Sequence, residues 1–216
     1  MSNIAQDFVE EYIRGVLEPS QGIIRDMEEY ASENRIPIVH PEVAKLLEVL
    51  IMGHNSSRIL EIGTAIGYSA IIMAKAAGEK GTVDTIEIDE GMISQATKYI
   101  RAAGLEGRVN VLQGDAREVL RQMDGSYDLI FIDGAKGHYE EMFNSSLELL
   151  RTGGMIICDN VLFRGMVASS GLVKRRKITI VKRMRKFLKY ITAHPRLNTA
   201  IVPIGDGLSI SCRREI

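Results

Sequence analysis

The 216-residue sequence is short of several things, and each shortage excludes a class of protein. It has two cysteines, Cys158 and Cys212, in apolar strand-like segments without metal-ligand spacing, so neither a disulfide framework nor a thiolate zinc site is available. Buried free thiols are expected. No apolar run approaches the ~20 residues of a membrane span. The start MSNIAQDFVEEYIRG lacks a basic region followed by a long apolar stretch, so the expectation is a cytoplasmic protein with no membrane partner. The Walker pattern is absent, and GTAIG is not the dinucleotide G-x-G-x-x-G. Between Asn160 and Gly205 there is not one Asp or Glu.

That last stretch instead holds eleven Lys or Arg: Arg164, Lys174, Arg175, Arg176, Lys177, Lys182, Arg183, Arg185, Lys186, Lys189 and Arg196. The chain's formal charge is only −1, so the rest of the molecule carries −12. An acidic body with a basic flank points to a polyanionic partner, a solvated helix face being the plainer reading.

What the chain does have is alternation. RILEIGTAIGYS, Arg58 to Ser69, reads as strand, glycine turn and helix, the unit at whose strand end open α/β sheets bind small ligands. Strands are expected at 57–62, 82–88, 108–112, 127–132 and 154–159, and helices at 67–77, 90–103, 116–122 and 138–150. This order predicts a mostly parallel sheet with helices on both faces. Three helices precede it: 3–16 with an Ile4, Phe8, Tyr12, Val16 stripe that must pack on something, Pro19 to about Asn34, and 41–53. They suit a lid or a dimer surface. A basic helix over about 174–192 and two strands joined at Gly205-Asp206-Gly207 close the chain as an antiparallel hairpin. The expectation is one domain, with residues 1–53 as an N-terminal helical segment and 54–216 as the core.

Acids mark the expected strand ends: Glu61, Glu87, Asp115, Asp133 and Asp159, separated by 26, 28, 18 and 26 residues, about one βα repeat each. A row of carboxylates repels phosphate. It favours a ligand with an amino group, a sulfonium, a ribose diol and an adenine amine, which S-adenosylmethionine combines. Ser69 and its N–H, with Tyr68 beside it, begin the first sheet helix, where a ligand carboxylate is held at the positive end. Asp133, Asp159 and Asn160 form an oxygen-only ligand set for a hard cation, Mg²⁺ or else Mn²⁺ or Ca²⁺. Lys136, three residues beyond Asp133, falls at the rim of that set; a metal and a sulfonium nearby would lower its pKa and let its neutral amine act as general base. His138 reads as a water-facing histidine at a helix start.

EIGTAIGYS, IEID, GDA, FIDGAK and CDN, in that order, resemble the cation-dependent class I O-methyltransferases, the family of catechol and caffeoyl-CoA O-methyltransferases, from about Pro37 to the C-terminus. The resemblance implies a Rossmann-like fold with a seven-stranded sheet. It implies that Val39, Glu61, Gly63 and Ser69 contact the methionine end of the cofactor, Glu87 the ribose hydroxyls, and Asp115 and Ala116 the adenine. It further implies that Asp133, Asp159 and Asn160 bind Mg²⁺, Asp133 also lying beside the cofactor, and that Lys136 is the base. Where the family often reads Asp-Ala-Asp-Lys, this chain has Asp133-Gly134-Ala135-Lys136, without the second acid.

The short N-terminal helices, IPIVHPEV and the basic segment look most like the bacterial branch that methylates 5-hydroxyuridine at the wobble position of tRNA. Its implied partner is the anticodon loop, with Lys174, Arg175, Arg176, Lys177, Lys182 and Arg183 on the phosphates, and its implied state a homodimer. A 5-hydroxyl beside the O4 carbonyl offers a metal the same two-oxygen chelate as a catechol. A small catechol or phenolic acceptor is the alternative substrate; a non-catalytic cofactor-sensing RNA-binding protein and a nicotinamide dehydrogenase are alternatives of another class.

Overall fold

A computed structural model describes residues 4–134 and 139–215. The chain begins with α1 (Asp7–Val16), α2 (Ile23–Asn34) and α3 (Pro41–His54). It then alternates through β1 (Arg58–Ile62), α4 (Tyr68–Ala76), β2 (Thr82–Glu87), α5 (Glu90–Ala102), β3 (Val109–Gln113), α6 (Ala116–Gln122), β4 (Tyr127–Ile132), α7 (Tyr139–Leu149) and β5 (Leu150–Cys158). Two 3₁₀ turns, Ser170–Leu172 and Arg175–Lys177, lead into α8 (Ile178–Thr192), and the hairpin β6 (Leu197–Val202) and β7 (Leu208–Arg213) follows. No described helix is long and apolar enough to cross a membrane.

The seven strands form one sheet in the order β3-β2-β1-β4-β5-β7-β6. The first five are parallel, and β7 runs antiparallel to both β5 and β6. This is the mostly parallel sheet that the alternation predicts, with the expected closing hairpin, in the Rossmann-like form that the resemblance implies. Strand side chains alternate between two cores. Ile59, Val83, Leu129, Phe131 and Ile157 pack with α3, α4 and α5, while Leu60, Ile62, Ile130, Ile132 and Ile156 pack with α7 and α8. The strand order reverses between β1 and β4, so their carboxyl ends diverge into the crevice where this architecture binds ligands.

The structure corrects several details. The second helix starts at Ile23, not Pro19, because Gly22 has φ +55 and residues before it do not continue the helix. The basic helix begins at Ile178; Arg175–Lys177 form a 3₁₀ turn, separated from it by neither Pro nor Gly. β5 follows α7 directly at Leu150. Cys158 is buried, and burial pushes its thiol up to about 12, but Cys212 is only half-buried; both are free. Phe8, Tyr12 and Val16 are 67%, 72% and 63% exposed, so the part of the stripe that lies on α1 has little cover among the described residues. What fastens α1 is the Arg14 guanidinium, which donates to both carboxylate oxygens of Glu42 on α3 at 2.8 and 2.7 Å.

Candidate active site

The centre of the carboxylate row is Glu61, the fourth residue of β1 and 0% exposed. Strand register sets its neighbours: Glu61 is paired with Thr85 on β2 and with Phe131 on β4. Ser69 Oγ, from the second residue of α4, donates to one carboxylate oxygen, and Thr85 Oγ1 donates to the other, both at 2.5 Å. Thr85 has a single hydroxyl proton, so the 2.6 Å contact with Thr64 is a bond donated by Thr64. Burial pushes the Glu61 carboxyl up to about 8; the two hydroxyls oppose that rise, and the charges of Asp133 and Glu87 add to it. Glu61 is therefore an acid held by neighbours that leave it short of positive charge.

Around it the other predicted residues assemble at the carboxyl ends of the strands. Gly63 has φ +100, and a Cβ there would stand 2.2 Å from the carbonyl oxygen of Asp133. Only glycine lets the turn after β1 lie that close to the chain after β4. Glu87, half-buried at the end of β2, accepts from the N–H groups of Ala65 at 2.9 Å, Ile88 at 2.9 Å and Asp89 at 3.0 Å. Its carboxylate thus ties the β1 turn to β2. Asp115 caps α6 by accepting from Arg117 N–H at 2.9 Å, and the Arg117 guanidinium bonds the same carboxylate at 2.7 Å. Ala116 follows, half-buried at the first position of α6.

Asp133 and Asp159 are brought side by side by the pairing of β4 with β5. Ile132 is the register partner of Cys158, and Asp159 N–H donates to Ile132 O at 3.0 Å. Asp159 is 2% exposed, its carboxylate accepting from Asn160 N–H at 2.5 Å, while Asn160 has φ +58 and is half-buried. Tyr139, fully buried at the start of α7, donates its hydroxyl to Asp159 O at 2.6 Å. Burial first, then the charges around it, among them Asp133, Asp159 and Asp206, hold that phenol far above its ordinary range. Two carboxylates and an amide on adjacent loops fit a hard divalent cation by donor type and charge. Among the described residues, no group of three His, Cys, Asp or Glu is arranged to hold a metal. Lys136, the expected base, and His138 lie outside the described residues.

Two predicted cofactor contacts are placed differently from the rest. Val39 is 4% exposed and belongs to the same buried core as Met27, Val43 and Leu47. Tyr68 donates its hydroxyl to Glu28 on α2 at 2.6 Å, which fastens the N-terminal helices to α4. It also lines a cavity of about 370 Å³ with Pro19, Ala44, Met52 and Ile72, a space that none of the row's carboxylates lines.

Lys174, Arg175, Arg176, Lys177, Lys182 and Arg183 are all exposed. The Lys177 ammonium lies 5.7 Å from the centroid of the Phe163 ring, three residues past Asn160. The basic turn therefore borders the loop that carries the candidate metal ligands. Not every cation of the flank is open to a partner: Arg185 donates to Val167 O at 2.8 Å, and Lys186 and Arg196 pair with Glu140 and Glu148, each at 3.2 Å.

Sequence reasoning missed Thr64, Thr85, Tyr139 and Asp206. Thr85 was reachable, because it lies two residues before Glu87 and so shares its face of β2. Tyr139 and Asp206 carry no motif of their own; only the packing of α7 and of the β6–β7 turn brings them to this loop.

Comparison with known proteins identifies the family. The O-methyltransferase family profile matches residues 20–215. Caffeoyl-CoA O-methyltransferase 2 of Populus trichocarpa is 33% identical over 180 residues, covering 79% of this chain and 72% of the relative. The O-methyltransferase of Bacillus cereus, solved in complex with SAH, superposes with a TM-score of 0.84 at 30% identity, covering 96% of this chain and 97% of that one. TomG of Streptomyces achromogenes, an O-methyltransferase involved in tomaymycin synthesis and solved with SAM, gives a TM-score of 0.84 at 26% identity, with 96% of each chain covered. The chain belongs to the O-methyltransferase family.

Proposed function

We propose that this O-methyltransferase uses S-adenosylmethionine (SAM) and Mg²⁺, or Mn²⁺ or Ca²⁺ in its place, to methylate the 5-hydroxyl of 5-hydroxyuridine at the wobble position of tRNA, giving 5-methoxyuridine. Support for the cofactor comes from the buried acid: Glu61, flanked by Asp133 and Glu87, is an anion-rich niche for the ammonium and sulfonium of SAM. Ser69 orients Glu61, and Glu87 stands where ribose hydroxyls would be received. Asp115 and Ala116 would border the adenine. Asp133, Asp159 and Asn160 would hold the metal, which when bound supplies Lewis-acid polarisation of two vicinal acceptor oxygens. Lys136 would take the hydroxyl proton as general base.

The observation that carries the RNA reading is the stacking of Lys177 on Phe163. It sets four consecutive cations, Lys174 to Lys177, beside the loop that follows Asp159 and Asn160. A nucleotide splayed from the anticodon loop would reach the site while its flanking phosphates meet that turn. A small phenolic acceptor is the second reading, favoured by the caffeoyl-CoA relatives. The exposed stripe on α1 supports a homodimer, and a tRNA substrate a cytoplasmic enzyme.

Replacing Lys174, Arg175, Arg176 and Lys177 with Ala tests the reading. It should weaken tRNA binding and reduce the slope of log affinity against log salt by about 3, at ~0.7 per lost single-strand phosphate contact. Methylation of a free catechol should be untouched. An unchanged salt slope would mean that the turn faces no nucleic acid.

A further inference from the structure

The Gly205-Asp206-Gly207 turn has no part in the chemistry above, yet it grips the loop on which that chemistry depends. Within five residues of that loop, Asn160, Phe163 and Arg164 adopt φ of +58, +45 and +53, a conformation unfavourable for L residues and rare for a side chain as bulky as Phe. Such a loop keeps its shape only if its surroundings hold it. Among the described residues, three of the bonds that do so come from the turn. Val161 N–H donates to Gly207 O at 2.9 Å, and Leu162 N–H donates to Asp206 O at 3.1 Å. Arg164 N–H donates to the Asp206 carboxylate. The fit is close on both sides: a Cβ on Gly207 would stand 2.4 Å from Leu162 Cγ, and one on Gly205 2.7 Å from Val43 at the start of α3. Asp206 is only 9% exposed, and it is an acid kept in a region that already holds Asp133 and Asp159.

We propose that Asp206 is a positioning residue, whose carboxylate and flanking backbone hold residues 160–164 so that Asp159 and Asn160 face the metal and Phe163 seats Lys177. It touches neither acceptor nor cofactor; it acts through the loop. The metal part of this inference rests on the function proposed above, whereas the loop part does not.

The absence of tryptophan from the chain allows a clean test. Phe163 is 7% exposed, so a Phe163→Trp reporter reads the packing of the loop by acrylamide quenching, without reference to activity. Adding Asp206→Ala should raise quenching severalfold and weaken Mn²⁺ binding, followed by electron paramagnetic resonance, about tenfold, as loss of a ligand-orienting group does. SAH affinity should stay within about twofold, because Glu61 and Glu87 lie on other strands. Asp206→Asn keeps a carbonyl acceptor for Arg164 N–H and should restore both readouts.

A reporter equally protected with and without Asp206 would overturn the proposal. So would a parallel fall in reporter protection, Mn²⁺ affinity, SAH affinity and melting temperature, because that is general loosening. If the wild-type chain binds no Mn²⁺, the metal reading fails, and quenching alone still judges Asp206. Should Asp206→Ala not fold, Gly207→Ala replaces it: the added methyl should loosen the reporter, and a second change, Leu162→Ala, should tighten it again. Absence of that rescue would also overturn the proposal.

Discussion

Glu61 allows the cofactor niche to be tested by pH alone. With its carboxyl up at about 8, roughly 1% is ionised at pH 6 and roughly 10% at pH 7. A ligand ammonium binds the ionised form, so SAH affinity should rise about tenfold per pH unit between 5.5 and 7, with up to one proton released per ligand bound. Above that range the slope flattens, because Glu61 becomes ionised and the ligand's α-amino group, near 7.7–8.0, begins to lose its own proton. Isothermal titration in two buffers of different ionisation enthalpy counts the protons directly. Glu61→Gln, which keeps partners for Ser69 and Thr85, should bind more weakly at pH 7.5 and lose both slope and proton release. The free protein gives an independent readout. Between 4.5 and about 8 the folded chain holds a proton on Glu61 that the unfolded chain has lost, so stability falls as pH rises through that window, by up to about 1.4 kcal/mol per unit. In Glu61→Gln that fall should be absent. SAH affinity independent of pH from 5.5 to 7, or a slope kept by Glu61→Gln, would refute the assignment of Glu61 to the ligand's cation.

Asp159→Ala should abolish methyl transfer while SAH binding, by the same titration, persists; full activity would remove the metal from the account. Gly63→Ala should cost several kcal/mol in chemical denaturation or prevent folding, since its methyl would overlap the Asp133 carbonyl at 2.2 Å and its φ is +100. At the opposite ends of the strands, burial alone would raise the Asp128 carboxyl, but Arg58 N–H, the Arg151 guanidinium and Ser57 hold it down to about 2. That stability is present above 3.8 and lost as pH falls toward 2; solvent screens part of it, so Asp128→Asn should lose about 1 kcal/mol at neutral pH and flatten the denaturation curve across that acid window.

The sheet was legible because its strands are buried on both faces and its helices are amphipathic, two patterns that differ in period. The carboxylate row was legible because every βα unit places its last strand residue at the same edge, as the Ile62, Ile132 and Cys158 registers confirm. What the residues hide is direction and partner. Ser69, expected to meet the ligand through its hydroxyl and N–H, also donates that hydroxyl to Glu61. Tyr68, beside it, donates its hydroxyl to Glu28. The eleven cations of the flank look alike in the sequence, yet Arg185 is bonded to the backbone of the 160s and Lys186 to Glu140, pairings that depend on how α8 settles against α7. The hold of Asp206 on Arg164 spans 42 residues, α8 and β6 among them, beyond the reach of any local pattern.

The central claim is tested most directly by methyl transfer from labelled SAM to tRNA bearing 5-hydroxyuridine, to unmodified tRNA and to a free catechol, each with Mg²⁺ and with EDTA. The expected result is metal-dependent label on the hydroxylated tRNA, recovered as 5-methoxyuridine. Label on the catechol alone would contradict the RNA reading, and label that survives EDTA would contradict the metal site.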